Sequence, residues 1–111
     1  MSENNGYTSL DEIERDHTAI RFKDEVVAGK KFKLRSWTAE ECQKFLSSIE
    51  KHPRTVNQRV IIGVVEAPKF TLADIERLSK IDGAFVAQLA KVCMNHVGIE
   101  GLEDIEDAEK N

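Results

Sequence analysis

The chain has 111 residues, of which 41% are hydrophobic and 32% charged, a composition typical of one small soluble domain. Its 16 Lys and Arg residues against 20 Asp and Glu residues give a net charge of −4, but residues 99–111 alone contain six acidic residues and one lysine. The rest of the chain is therefore close to neutral. This balance disfavours non-specific binding to nucleic acid or to anionic lipid.

Two cysteines, Cys42 and Cys93, stand far apart, whereas small disulfide-stabilised domains usually carry four or more at closer spacing. We therefore expect both thiols to be reduced. The N-terminus lacks a basic patch followed by an apolar run, and the longest apolar stretch, Val60–Val65, is far shorter than the roughly 20 residues of a membrane-spanning helix. These features predict a cytoplasmic protein that does not bind membranes.

Residues 1–17 are polar and contain only Tyr7, Leu10 and Ile13 as large apolar side chains. So few apolar groups cannot offset the entropy lost on ordering, so we expect a flexible N-terminal arm, with at most a short helical turn.

In residues 19–36, the apolar Ile20, Phe22 and Val26-Val27 precede Ala28-Gly29-Lys30, and Phe32 and Leu34 then alternate with Lys31, Lys33 and Arg35. Alternation with a central glycine predicts a β-hairpin. Phe32 and Leu34 lie on one face of its second strand. Because an isolated two-stranded ribbon is only marginally stable, that face is expected to pack against helices.

Four helices are predicted after the hairpin. Their approximate ranges are 39–51, 55–66, 72–81 and 83–97. The first begins at a capping box, Thr38-Ala39-Glu40-Glu41, and the last is expected to end at Gly98. The β-branched run within 55–66 fits a buried strand as well as a helix, and its four-residue valine spacing favours the helix.

These elements together predict an α+β fold, mostly α, in which a hairpin packs on a small helical bundle. Residues 18–98 are assigned to a single globular domain. Residues 99–111 are expected to form a disordered acidic tail.

Catalytic, cofactor and metal sites find little support in the residue pattern. Cys93 and His96 are three positions apart on one helix, and Cys42 or His52 could complete a zinc site, but no second closely spaced ligand pair is present. A core role for the cysteines explains the pattern better. The glycines form no phosphate-binding motif, so we predict a protein without enzymatic activity, metal or cofactor.

A basic strip, defined by Lys30, Lys31, Lys33 and Arg35, is the one local surplus of positive charge. It is a candidate surface for an acidic partner. It equally fits a solvated edge strand that lysines protect from aggregation.

A DNA-binding helix-turn-helix is the alternative interpretation of residues 71–96. The linker Ile81-Asp82-Gly83 has a suitable length, but the last helix offers only Gln88, Lys91 and Asn95 as polar readers of bases.

Two short motifs give the chain a family resemblance. One is Leu34-Arg35-Ser36-Trp37-Thr38 at the start of the first predicted helix, and the other is the segment Leu72–Asp82, which leads into Phe85-Val86. The first matches leucine–arginine–x–x–threonine, and the end of the second matches leucine–x–x–isoleucine–aspartate. In this respect the chain resembles the small tail assembly chaperones of tailed bacteriophages, over about residues 20–98.

The resemblance implies a protein that binds the long helical tape measure protein and helps the tail tube protein polymerise around it. It further implies that the chaperone acts in the bacterial cytoplasm in several copies, is absent from the finished virion, and can be extended by ribosomal frameshifting. A homo-oligomer is compatible with this role, and no nucleic-acid partner is expected.

The resemblance also suggests where a partner would bind. The binding surface is expected to be apolar and to belong to the last two helices. The candidate residues are Phe70, Leu72, Phe85 and Leu89, although a core role fits all four better. Independently of the resemblance, Trp37 is a candidate interface aromatic or half-buried anchor, and the cationic Lys31, Lys33 and Arg35 are candidates from the basic strip.

Overall fold

A computed structural model describes residues 6–99 and confirms an α+β fold that is mostly α. The helices are α1 (Leu10–His17), α2 (Ala39–Lys51), α3 (Val56–Val64), α4 (Ile75–Ser79) and α5 (Gly83–Val97). The strands are β1 (Phe22–Val27), β2 (Lys30–Arg35) and β3 (Val65–Ala67). Two 3-10 turns, Pro53–Thr55 and Leu72–Asp74, lead into α3 and α4.

The predicted hairpin is formed by β1 and β2, which pair antiparallel. Val27 pairs with Lys30, so the loop between them consists of Ala28 and Gly29 alone, with φ values of +52° and +77°. Positive φ at both positions is the geometry of a type I′ turn, whose twist matches that of the paired strands. Glycine adopts this backbone freely, whereas Ala28 does so under strain.

The sheet has a third strand, in the order β1-β2-β3, which the hairpin prediction did not include. The segment predicted as one helix over 55–66 divides into α3 and β3, so the strand alternative is correct for its last residues. Pro68 disfavours helical backbone at the preceding residue, and β3 there pairs with the otherwise open edge of β2.

The hydrophobic core lies between one face of the sheet and two helices. Phe32 and Leu34 are buried on that face, as predicted. Helix α3 packs against α5, and α5 packs across β1 and β2. The core consists of Val27, Phe32, Leu34, Ile49, Val56, Val60, Ile61, Val64, Val65, Leu78, Val86, Leu89, Ala90, Cys93, Met94 and Ile99.

The corner between the sheet and α2 is fixed by the residues that precede α2. The Thr38 hydroxyl accepts a hydrogen bond from the Glu41 N–H, and Glu41 accepts one from the Thr38 N–H, which confirms the capping box. Ser36 is buried, and its hydroxyl accepts a hydrogen bond from the Arg21 N–H.

Trp37 joins this corner to two helices. Its ring lies 5.0 Å from the Phe45 ring of α2, and its indole N–H donates to the Gly63 carbonyl of α3 at 2.9 Å. That carbonyl lies in the last turn of α3 and has no partner within the helix, so the indole satisfies it. A Cβ at Gly63 would lie 2.7 Å from the Trp37 ring, so the close approach requires glycine.

The segments at either end of the domain differ from their predictions. Residues 10–17 of the expected flexible arm form α1, with the Ser9 hydroxyl accepting from the Glu12 N–H, although α1 has no buried residue. The Ser9 cap satisfies one of the first backbone N–H groups of α1. At the other end, Gly98 is left-handed, as predicted, and Ile99 is buried in the core rather than part of a disordered tail. Residues 1–5 and 100–111 lie outside the described residues.

The helix predicted over 72–81 is shorter in the structure. A 3-10 turn capped by Thr71 and Asp74 precedes α4, which ends at Ser79. Helices α2 and α5 have the predicted bounds. The Asp82 side chain accepts from the Phe85 N–H and so caps α5.

Replacing Ala28 with Asn is expected to raise the free energy of unfolding by about 0.5–1 kcal/mol, because Asn tolerates the left-handed backbone that strains alanine. Urea denaturation of both proteins measures the difference. Gly29→Ala serves as the opposite control and should destabilise the hairpin. Equal stabilities for wild type and Ala28→Asn would contradict the strain at this turn.

Replacing Gly63 with Ala is expected to destabilise the protein by about 1–3 kcal/mol, because the added methyl group overlaps the Trp37 ring. Gly83→Ala is the matched control, since a Cβ at Gly83 meets no atom within 4 Å. Thermal unfolding should therefore show a lower Tm for the first variant and an unchanged or higher Tm for the second. An unchanged Tm for Gly63→Ala would contradict the close approach.

Candidate partner-binding surface

An apolar groove runs between α4 and the loop that precedes it. We call it the α4 groove, and its volume is about 310 Å³. Three of its lining side chains are apolar and three are charged. The lining residues are Lys69, Phe70, Asp74, Arg77, Leu78 and Ile81.

Two large apolar side chains are exposed around this groove. Ile81, which lines it, is 47% exposed, and Leu72, in the adjoining 3-10 turn, is 65% exposed. Phe70 is half-buried and packs on the core from the groove side. Exposed large apolar residues clustered beside a groove are typical of a binding surface.

Charged residues at the rim have defined partners. The Thr71 N–H donates to Asp74 Oδ2 at 2.8 Å, and Arg77 Nη1 lies 3.9 Å from Asp74 Oδ1. The Arg77 side chain is 87% exposed and extends into solvent. The α4 groove therefore has an apolar interior and a rim with both signs of charge.

The structure separates the predicted partner-binding residues into two groups. It brings Phe70 and Leu72 to the α4 groove and its border. Phe85 is half-buried instead, with its ring centroid 6.3 Å from that of Phe32. Leu89 is 1% exposed and belongs to the core, so the core interpretation is correct for it and it is not available to a partner, because α5 packs against the sheet and α3.

Trp37 was also a candidate, but its contacts are internal. The indole N–H donates a hydrogen bond to the Gly63 carbonyl, and the ring packs on Phe45. These contacts give Trp37 a structural role at the corner before α2.

The basic strip lies along β2, where several of its charges are locally paired. Lys31 Nζ is 3.6 Å from Asp24 Oδ2, and Lys33 Nζ lies 5.0 Å from the centre of the Phe22 ring. Arg35 Nη1 donates to Glu41 Oε2 at 3.1 Å. This pairing reduces the positive field that an acidic partner would meet.

Sequence reasoning missed three exposed apolar residues. Ile81 was read as the end of a helix, but α4 stops earlier and leaves it at the groove. Phe22 and Val26 pair with Arg35 and Lys31 on the outer face of the sheet and are 53% and 65% exposed. Residues that face each other across two strands share one face of the sheet. The pairing of Phe22 and Val26 with residues of the basic strip would therefore have placed both on the exposed face.

A second groove lies beside β1, between this strand and α5. We call it the β1 groove, and its volume is about 590 Å³. Arg21 Nη2 donates to the His96 carbonyl at 3.0 Å at one end of it. Its lining residues are Arg21, Phe22, Lys23, Glu25, Val92, Asn95 and His96.

The residues considered for metal or nucleic-acid binding lie apart from the α4 groove. Cys93 is fully buried, and burial raises the pKa of its thiol to about 12, which disfavours the thiolate that a metal needs. Among residues 6–99, no group of three potential metal ligands occurs. Gln88, Lys91 and Asn95 are exposed on α5.

Comparison of the chain with protein-family models, curated proteins and solved structures gives no significant match. Within the described part of the chain, no helix has the length and apolar character needed to cross a membrane.

Stability should depend on the ionisation of Glu41. The Thr38 N–H hydrogen bond, followed by the Arg35 guanidinium, holds the pKa of this carboxyl below its usual 4.5. A lowered folded-state pKa adds stability above the unfolded-state value, and this contribution is lost as the pH falls through the folded-state pKa. We therefore expect Glu41→Gln to be less stable than wild type at neutral pH, with the difference shrinking as the pH falls below 4.5.

Urea denaturation at a series of pH values measures this difference. Glu40→Gln is the matched control, since Glu40 lies in the same first turn of α2 but makes no hydrogen bond or ion pair with any of the residues described. A loss of stability in Glu41→Gln that stays constant across the pH range would contradict an ionisation-dependent role.

Proposed function

We propose that this protein is a phage tail assembly chaperone that acts without catalysis by binding the tape measure protein while tail tube subunits assemble. The α4 groove is the observation that supports this proposal most directly. An apolar interior bordered by exposed Leu72 and Ile81 suits the apolar face of an amphipathic helix.

The chemistry of a tape measure protein explains why such a groove is useful. A long amphipathic helix exposes an apolar stripe that would aggregate before the tube encloses it. A small domain that covers part of the stripe removes that surface from water, and several copies can cover successive parts. Modest affinity at each groove also allows release as the tube protein takes the place of the chaperone.

The charged rim fits the same interpretation. Amphipathic helices carry both signs of charge beside their apolar stripe, and Lys69, Asp74 and Arg77 offer both signs around the groove. Such a rim favours helices of mixed charge over polyanions, because the opposite charges cancel at a distance.

The residues that carry the family resemblance lie where one secondary-structure element meets the next. Leu34 is fully buried, Arg35 bonds to Glu41, and Thr38 caps α2. Asp82, the last residue of the second motif, caps α5. The first motif therefore fixes the corner between β2 and α2, and the second motif ends at the cap of α5.

Co-expression with the tape measure protein encoded alongside this chain tests the proposal. We expect the wild type to bring the long protein into the soluble fraction as a complex. Leu72→Lys and Ile81→Lys place a charge against the apolar stripe and should weaken binding by about tenfold or more, because burying a charge without a partner is costly.

Leu10→Lys is the matched control, since Leu10 is an equally large, exposed residue on α1 and far in sequence from the groove. Retention of full solubilising activity by both groove variants would reject the α4 groove as the binding site. Failure of the wild type to solubilise the tape measure protein would overturn the proposed function. Salt-sensitive retention on heparin would then favour the DNA-binding alternative.

A further inference from the structure

Strand β1 is an edge of the sheet whose outward backbone groups lack partners among residues 6–99. Because Val27 and Lys30 flank a two-residue turn, they form a hydrogen-bonded pair, and such pairs recur at every second residue. The bond from the Ser36 N–H to the Arg21 carbonyl, at 2.9 Å, fits this alternation. Phe22, Asp24 and Val26 therefore direct their N–H and C=O groups away from β2.

The side chains of β1 divide between the two faces of the sheet. Phe22, Asp24 and Val26 lie on the outer face, where the two apolar side chains are largely exposed. Lys23 and Glu25 lie on the inner face beside the β1 groove, and their charged groups are 2.9 Å apart. The edge thus offers apolar residues on one face and both signs of charge on the other.

We infer that β1 pairs antiparallel with β1 of a second copy of this chain, about a two-fold axis at Asp24, and so forms a continuous six-stranded sheet. This register places Phe22 of one copy opposite Val26 of the other, and Lys23 opposite Glu25. Because Phe22, Asp24 and Val26 carry the outward backbone groups, every ladder hydrogen bond across the new pair has a donor and an acceptor.

Charge complementarity selects this occupant and this register. Inward-pointing charges on an edge strand normally discourage pairing with other strands. Lys23 and Glu25 already pair within one chain at 2.9 Å, and a second copy in this register adds an opposite charge across the strand pair for each of them. The two Asp24 side chains that meet at the axis each have Lys31 of their own copy 3.6 Å away.

Two neighbouring two-fold registers, with the axis at Phe22 or at Val26, also keep both hydrophobic cores on the same face of the sheet. Neither of them sets Lys23 opposite Glu25. An axis at Phe22 sets Lys23 opposite Arg21, which places like charges together. An axis at Val26 sets Glu25 opposite Val27, so Glu25 gains no cationic partner from the second copy. Directly opposed like charges destabilise a strand pair, and at the Asp24 axis Lys31 of each copy offsets the repulsion between the two carboxylates. The Asp24 register is preferred because it sets Lys23 opposite Glu25 on both sides of the axis.

The β1 groove provides room for the added strand. Inner-face side chains of a neighbouring strand project over this space of about 590 Å³, which Val92 and His96 border from α5. The Phe22 and Val26 side chains of the two copies meet on the outer face. The pairing therefore buries apolar surface on one side and closes the groove on the other.

Charge reversal tests the inference through solution mass, measured by sedimentation from micromolar to millimolar concentration. Lys23→Glu sets Glu opposite Glu25, and Glu25→Lys sets Lys opposite Lys23, so each variant alone should be monomeric where the wild type is dimeric. In an equimolar mixture of the two variants every pair is again opposite in charge, so the mixture should form a heterodimer. Lys44→Glu, an exposed reversal on α2, should stay dimeric.

Disulfide trapping tests the register itself. Asp24→Cys places the two introduced thiols opposite each other, at a Cα separation of about 5.5 Å that a disulfide spans, so mild oxidation should cross-link this variant. Val26→Cys places them four residues out of register and should cross-link far more slowly. Both are made with Cys42 replaced by Ser, and circular dichroism verifies that each variant folds.

A monomeric wild type across the concentration range would overturn the inference. So would a dimer that the charge reversals leave intact, or equal cross-linking of the two cysteine variants. Because these measurements use the isolated chain, they are independent of whether the tape measure protein is the partner.

Discussion

The contact between Trp37 and Gly63 determines how the parts of this protein fit together. The indole N–H satisfies a carbonyl at the end of α3, and the ring packs against α2 through Phe45. Trp37 directly follows the buried end of the sheet, so one side chain connects the sheet with both helices. Because Gly63 has no side chain, α3 approaches the Trp37 ring closely. The chain that follows α3 then lies where β3 pairs with β2.

This arrangement has a consequence for the candidate binding surface. Helix α3 positions α4, and the short α4 cannot bury both of its sides against the core. Leu78 faces inward and is buried, whereas Ile81 and Leu72 lie exposed around the α4 groove. The apolar surface available to a partner therefore results from the shortness of α4 and not from an excess of apolar residues in the sequence.

Local charge pairing shapes the rest of the surface. The basic strip looks strongly cationic as a sequence, but the fold places Asp24 and Glu41 beside it. A domain with little long-range field depends on shape, apolar contact and backbone hydrogen bonds for recognition. Both the α4 groove and the β1 edge offer contacts of these kinds, and they share no lining residue, so the two proposed contacts do not compete for the same side chains.

Local signals in the sequence determined much of this fold. The capping box at Thr38, the Asp82 cap, the left-handed Gly98 and the turn at Ala28-Gly29 act over a few residues, so their patterns give the bounds of α2, α5 and the hairpin directly. The Ser9 cap is a local signal of the same kind at the start of α1, in the segment expected to be a flexible arm.

Only the tertiary structure decided which apolar residues form the core and which form a surface. Leu89 and Leu72 look alike as candidates, but Leu89 faces the sheet and Leu72 faces solvent. The division of residues 55–66 between α3 and β3 also depended on the open edge of β2, a partner distant in the chain. Helical and strand periodicities show which residues share a face, but not what that face packs against, because packing is set by elements brought together only when the chain folds.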